Sequence, residues 1–332
     1  MKSESEIITL FYDKFADIPL LSRMDAVAET FIDEIETLLN RDLPEEERIP
    51  LIEKFRKMYE TMDFYVLYNR FLKKEGYQTL PRRPLEKRKL RYEDVYPVLY
   101  LKYRLSRQAE RSNIKHLVID EMQDYSRLQY LIIRRMFSCK MTILGDRAQT
   151  MADQQQDVLQ FLPGIFGKDL RRIEMRKSYR NTVEIASYAA NLIGVTDLEL
   201  FERHGMPVLE RDVTDLEAAL REAVDTLFPE EKTYETAAVI VPDEKTAERA
   251  YLILREILVE KDFDCEKRLS WLNRDSSSFK KGLTVTTFYL AKGLEFDQVF
   301  SIFPKDEKRE MMMQAQYIAA TRALHELRVY HI

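Results

Sequence analysis

His116-Leu117-Val118-Ile119-Asp120-Glu121-Met122-Gln123-Asp124 is the stretch on which the reading of this chain turns. Its apolar, partly β-branched start predicts a short strand, and the strand ends on two adjacent carboxylates. In a parallel sheet such a pair stands at the carboxyl edge, where open α/β sheets bind their ligands. One acidic side chain there can hold Mg2+ directly or through water, and its neighbour can take a proton from the water that attacks a γ-phosphate. On its own an Asp-Glu pair after a strand is more often a solvated turn, so the surrounding sequence has to supply the specificity.

Downstream, Met141-Thr142-Ile143-Leu144 predicts a second strand, with a helical pattern on either side of it. The alternation returns with strands at Ala237 to Val241, Leu283 to Thr287, Val299 to Phe303 and Leu327 to Tyr330. Helices are expected near Thr182 to Ile193, Asp215 to Phe228 and Lys245 to Val259, which makes a second α/β domain. Pro163-Gly164-Ile165-Phe166-Gly167 is the expected linker. Upstream, Val27, Ala28, Phe31, Ile32, Ile35, Leu38 and Leu39 recur at helical spacing, and Leu51, Ile52, Phe55, Met58, Tyr59 and Met62 repeat it. A basic break from Pro81 to Lys89 interrupts the helices, which resume from Tyr92 to Arg107. The break is expected to be a solvated loop, with a phosphate-contacting strip as the alternative.

With 332 residues the chain is long enough for two cores. Its 45% hydrophobic and 33% charged composition is that of a globular protein, and no apolar run reaches the ~20 residues of a membrane span. The opening MKSESEIITLFYDKF lacks the pattern of a secretion signal, so a cytoplasmic location is expected. Cys139 and Cys265 are too far apart and too few for a zinc set or a disulfide framework, and His116, His204, His325 and His331 show no ligand spacing. A net charge of -5 argues against binding nucleic acid by bulk charge, although a local basic strip can hide in an acidic total.

Four further strings follow the Asp120-Glu121 edge in order. They are Gly145-Asp146-Arg147-Ala148-Gln149, Ser178-Tyr179-Arg180-Asn181, Ala291-Lys292-Gly293-Leu294-Glu295-Phe296-Asp297 and Tyr317-Ile318-Ala319-Ala320-Thr321-Arg322-Ala323. Together the set resembles motifs II to VI of the UvrD/Rep-type superfamily 1 DNA helicases. The resemblance implies RecA-like, P-loop NTPase-type parallel sheets in tandem domains, the first incomplete, behind an N-terminal helical region. Residues 1–108 would be that helical region, 109–163 the remainder of the first domain with motifs II and III, and 164–332 the second domain with motifs IV to VI.

The resemblance also implies ATP and Mg2+ as cofactors, with hydrolysis in the cleft between the two domains. Asp120 resembles the Mg2+ ligand and Glu121 the catalytic base, while Gln149 is similar to the side chain that senses the γ-phosphate. Tyr179 resembles the aromatic that stacks on adenine. Arg180 and Arg322 resemble the arginines that reach the γ-phosphate, and Glu295 the residue near the ribose.

The chain departs from the pattern in four respects. No G-x-x-x-x-G-K-[ST] phosphate-binding loop is present, since Leu162-Pro163-Gly164-Ile165-Phe166-Gly167-Lys168-Asp169 has Leu and Asp at the deciding positions and stands after motif III. A missing N-terminal segment carrying that loop is therefore expected upstream. Ala152 and Gln154 stand where the family has base-stacking aromatics, which weakens the expected hold on single-stranded or duplex DNA. Tyr289 and Leu290 replace the usual His and Ser of motif V, a variant that resembles the HelD-like branch and implies RNA polymerase as a partner. The run from Ser178 to Thr286 is also too short for the family's large duplex-engaging insertion, so unwinding is not expected. Two readings follow: part of an ATP-dependent helicase or translocase, or a P-loop-less module that binds a partner such as RNA polymerase without catalysis.

Overall fold

The computed structural model describes residues 3–106, 113–146, 149, 158–175, 177–196, 199–261, 264–276, 281–305 and 310–332. The chain divides into two units, Met1–Gly145 with Val158–Leu170, and Asp146–Asp157 with Arg171–Ile332.

The first unit starts with helices. α1 (Glu4–Thr9) runs into a π-helical turn over Leu10–Lys14, followed by α2 (Arg23–Leu39), α3 (Glu45–Arg56), α4 (Phe64–Lys74) and α5 (Tyr92–Leu105). The apolar stripe of α2 buries Val27, Ala28 and Ile32, and Val27 and Ala28 share a core with Phe11 and Phe55 of α3. α3 stops at Arg56, so Met58 and Met62, expected on its stripe, lie beyond it and are exposed. The reason is local: Asp63 is the extended N-cap of α4, its carboxylate accepting from the amides of Tyr65 and Val66, and the chain must leave the helix to reach it. A second core gathers Tyr65, Tyr68, Leu72 and Leu80.

The α/β part of this unit comprises β1 (His116–Ile119), α6 (Arg127–Met136), β2 (Lys140–Ile143) and α7 (Val158–Phe166). β1 and β2 pair in parallel, with His116 opposite Lys140 and Ile119 opposite Ile143. Ser126 starts α6 with a capping box closed by Gln129. The expected linker is a helix instead. Pro163 and Gly164 lie inside α7, because Val158 and Leu162 are buried with Ile119 and Tyr130, and that packing outweighs the helix-breaking tendency of the two residues.

In the second unit, β3 (Lys177–Ser178) and β4 (Glu199–Leu200) form a small parallel pair around α8 (Val183–Ile193). The remaining elements are β5 (Leu209–Asp212), α9 (Leu216–Asp225), β6 (Thr236–Val241), α10 (Glu244–Glu260), α11 (Cys265–Arg268), β7 (Leu269–Trp271), β8 (Gly282–Thr287), β9 (Phe296–Phe303), α12 (Glu310–Ala320) and β10 (Ala323–His331). Six strands make one parallel sheet in the order β5-β10-β9-β6-β8-β7. The inner strands are largely buried, as a sheet covered on both faces requires: every residue of Ala237–Val241 and Gly282–Thr287 is buried, the polar Thr284, Thr286 and Thr287 among them. One face packs on α9 and α10 through Leu220, Ala250 and Leu254, and the other on α8 and α12 through Ile185, Ala315 and Ile318. The expected α/β class with parallel sheets is what the chain adopts. Among the described residues no helix is long and apolar enough to cross a membrane.

Candidate functional site

The carboxylate edge follows directly from the β1–β2 pair. Beyond Ile119, Asp120 is exposed and Glu121 half-buried, and Glu121 takes a left-handed backbone with φ of 51°. For a residue with a Cβ this conformation costs of order 1–3 kcal/mol and persists only where neighbours fix it. Three contacts do so. Oδ1 of Asp120 accepts from the Glu121 amide at 2.9 Å, Nε2 of Gln123 donates to Oε2 of Glu121 at 2.5 Å, and the Met122 amide donates to the Leu144 carbonyl at 2.8 Å.

Gly145 closes this corner, since a Cβ there would stand 2.5 Å from Oε1 of Gln123 and 2.6 Å from the Met122 nitrogen. Only glycine lets the strand end approach the turn this closely. The hydroxyl of buried Tyr130 donates to the Met122 carbonyl at 3.0 Å, and burial pushes that phenol above its ordinary pKa.

The second unit gathers the other candidates at the N-terminal ends of β9 and β10. Nε of Arg180 pairs with Oε1 of Glu295 at 2.6 Å, both half-exposed, and the amide of the next residue, Phe296, donates to the Arg322 carbonyl at 2.9 Å. The Arg322 side chain is only 1% exposed. Its guanidinium donates to the Ile318 carbonyl at 3.2 Å, the Thr321 hydroxyl at 3.1 Å and Oε1 of Gln149 at 3.3 Å. Gln149 in turn donates to Asp146 at 2.9 Å, and the Tyr317 hydroxyl donates to the same carboxylate oxygen at 3.0 Å. Burial first, and the Asp146 carboxylate second, push the Tyr317 phenol up, so it stays a donor.

Tyr179 is 61% exposed, its ring 5.6 Å from that of Phe201 and tilted by 37°. Asn181 holds this segment to motif VI, donating to the carbonyls of Thr321 at 3.2 Å and Ala323 at 2.6 Å. Arg203 donates to the carbonyls of Arg180 and, at 2.8 Å, Leu324.

The structure thus brings Gln149, Arg322, Arg180 and Glu295 into two linked pairs in the second unit, keeps Tyr179 beside them, and places Asp120 and Glu121 on the first. Asp146, Tyr317 and Asn181 were visible only as letters within motif strings. Arg203 carried no sequence signal, because it acts on carbonyls far away in the chain. Arg147, Ala148, Ala152 and Gln154 lie outside the described residues.

Residues 4–151 match the family model of the UvrD/REP helicase N-terminal domain. The match takes in just under half of the chain, from α1 past the Asp120-Glu121 edge and β2 to Gln149. The chain is similar to the C-terminal domain of a possible DNA helicase from Lactobacillus plantarum WCFS1, at 23% identity over 47% of this chain and 88% of that one, with a TM-score of 0.36. It is similar to the PRRSV helicase at 16% identity over 65% and 35% of the two chains, with a TM-score of 0.34. It is also similar to arterivirus nonstructural protein 10, a helicase in a complex with DNA, at 14% identity over 68% and 40%, with a TM-score of 0.35. At these scores the three likenesses carry no argument about activity, and the chain spans half or less of the two viral helicases. No curated protein matches the chain.

Within the segment that matches the family model, the donor chemistry fits the expected metal. Among the described residues no three His, Cys, Asp or Glu side chains converge into a cage. Mg2+ in nucleotide sites needs none, being held by one or two carboxylates together with phosphates and waters, and exposed Asp120 offers such a carboxylate.

Proposed function

We propose that this chain is the greater part of an ATP-dependent superfamily 1 DNA helicase or translocase of the HelD-like branch, whose ATP turnover drives remodelling of nucleic acid or RNA polymerase. The observation that supports this best is the family match over residues 4–151, with the Asp120-Glu121 edge held in a strained, three-way-fixed turn inside it. Asp120 would hold Mg2+, which when bound neutralises phosphate charge. Glu121 would take the proton of the attacking water, and Gln123, bonded to its carboxylate, fixes where that base points. Tyr179, 61% exposed with Lys177 Nζ 5.5 Å over its ring, would stack on adenine. Arg180 and Arg322 would supply positive charge to the transferring phosphoryl. To do so they must exchange Glu295 and Gln149 for phosphate oxygens, which makes those two residues the acceptors that release them.

The test joins this chain to a segment carrying a phosphate-binding loop and measures ATP turnover with and without single-stranded DNA. Turnover that is lost in Glu121→Gln, with ATP still bound, is the expected result; turnover unchanged by Glu121→Gln overturns the assignment. The alternative is a non-catalytic module that retains RNA polymerase without nucleotide, against which the intact Glu121, Arg180 and Arg322 argue. Its signature is polymerase capture that neither ATP nor Glu121→Gln alters.

A further inference from the structure

In a chain of net charge -5, the nine residues Pro81–Lys89 carry five basic side chains against the single acidic Glu86. The structure shows that this loop is built rather than loose. Asn69 on α4 grips Leu80 from both sides, donating to its carbonyl at 3.2 Å and accepting from its amide at 2.7 Å, while the Leu80 side chain is buried in the Tyr65, Tyr68 and Leu72 core. The Tyr65 hydroxyl donates to the Pro81 carbonyl at 2.7 Å. Arg88 is spent on the same task. It pairs with Asp63 at 2.6 Å, donates to the Arg83 carbonyl at 2.9 Å and lies 4.8 Å over the Tyr65 ring.

The other four cations, Arg82, Arg83, Lys87 and Lys89, are exposed, and their side chains have no hydrogen-bond or ion-pair partner among the described residues. Close to them in the sequence are rings that the fold leaves in solvent, Tyr92 at 78% exposure and Tyr77 at 65%. A solvated loop needs neither this pinning nor the rings. Fixed, unpaired cations attract a polyanion, and exposed aromatics next to them suit a polymer whose bases are free to stack, which a duplex does not offer.

We propose that the Pro81–Lys89 loop, with Tyr92, is a docking platform for single-stranded nucleic acid on the first unit. The four free cations contact backbone phosphates and Tyr92 stacks on a base. This stands on the surface itself and does not require ATP turnover, so its failure and the failure of the ATPase reading are separately visible.

The experiment is fluorescence anisotropy of a labelled oligothymidylate with the full chain, across a salt series of about 50 to 200 mM. The variants are the quadruple change Arg82→Gln, Arg83→Gln, Lys87→Gln and Lys89→Gln, the single change Tyr92→Ala, and a control removing the charges of Lys232, Lys245, Arg249 and Arg255 from the second unit. Arg88 is left intact so that the loop stays pinned, and unchanged thermal melts verify the fold.

The platform predicts that the quadruple variant binds more weakly and that its log–log salt slope falls by roughly 3, since each single-strand phosphate contact contributes ~0.7. Tyr92→Ala is expected to weaken binding about tenfold with the slope kept. The control should behave as the unmodified chain. The proposal is overturned by an unmodified chain that does not bind the oligonucleotide, by a quadruple variant that binds normally, or by a control that loses as much. A quadruple variant that loses only a protein partner, such as RNA polymerase, overturns it too.

Discussion

The two units put their candidate chemistry at opposite ends of their strands. In the first, Asp120 and Glu121 follow β1 at its carboxyl end, where the general behaviour of parallel sheets says a ligand binds. In the second, Glu295 and Arg322 immediately precede β9 and β10, and Arg180 is tied to Glu295, so the cluster lies at the amino ends. The difference teaches where each kind of inference works. A strand followed by carboxylates is found by sheet physics alone, whereas the arginines are found only by the order of the motifs, since an arginine at the start of a strand is ordinarily an ion pair.

The units also differ in how much stands behind those ends. The second unit rests on a six-stranded sheet covered on both faces, while the described strands of the first number two. Phe300, buried in central β9 between β6 and β10, should therefore be the most costly residue to truncate. Phe300→Ala is expected to remove about 3–5 kcal/mol from the second unit's unfolding transition in denaturant. Amide exchange in α2 and α4 should stay as it is. An equal loss of protection in both units would show that they do not unfold separately, and would break the comparison.

A smaller effect sharpens it from the other side. Gly145→Ala forces a methyl group onto the Met122 nitrogen and the Gln123 amide, and should cost about 1–3 kcal/mol of overpacking in the first unit. Amide exchange at Met122, which donates to Leu144, reports the loss. A Gly145→Ala protein with wild-type protection there would mean that the turn holding Glu121 does not depend on close approach.

Much of this was legible in the residues. His116–Ile119 forms the expected strand without adjustment, and the four strands and three helices expected in the second unit fall within a few residues of β6, β8, β9 and β10 and of α8, α9 and α10. By contrast, β5, β7, α11 and α12 had no expectation to meet. The failures have a common cause in tertiary packing. Pro163 and Gly164 looked like a break, but the stripe formed by Val158 and Leu162 had a core to enter. Met58 and Met62 looked like a helix face, but the cap at Asp63 needed extended backbone. At the candidate site the motif strings named Gln149 and Arg322 separately, and nothing in their spacing reveals that the two side chains meet. That pairing depends on Asp146 and Tyr317, whose hydrogen bonds span much of the chain. The basic run from Pro81 to Lys89 was legible as charge alone; its rigidity comes from Asn69 and Tyr65 on another element.

The central proposal is that buried Arg322, at the amino end of β10, would act on the phosphoryl group whose attacking water Glu121 would deprotonate. The direct measurement is steady-state ATP turnover by this chain joined to a phosphate-binding loop, in Arg322→Ala and Arg322→Lys, with the unfolding midpoint of each variant recorded alongside. The account predicts that kcat falls by ~10³-fold or more in Arg322→Ala, with KM for ATP far less affected, because the charge acts on the transition state rather than on bound substrate. A folded Arg322→Ala protein with wild-type kcat would contradict it.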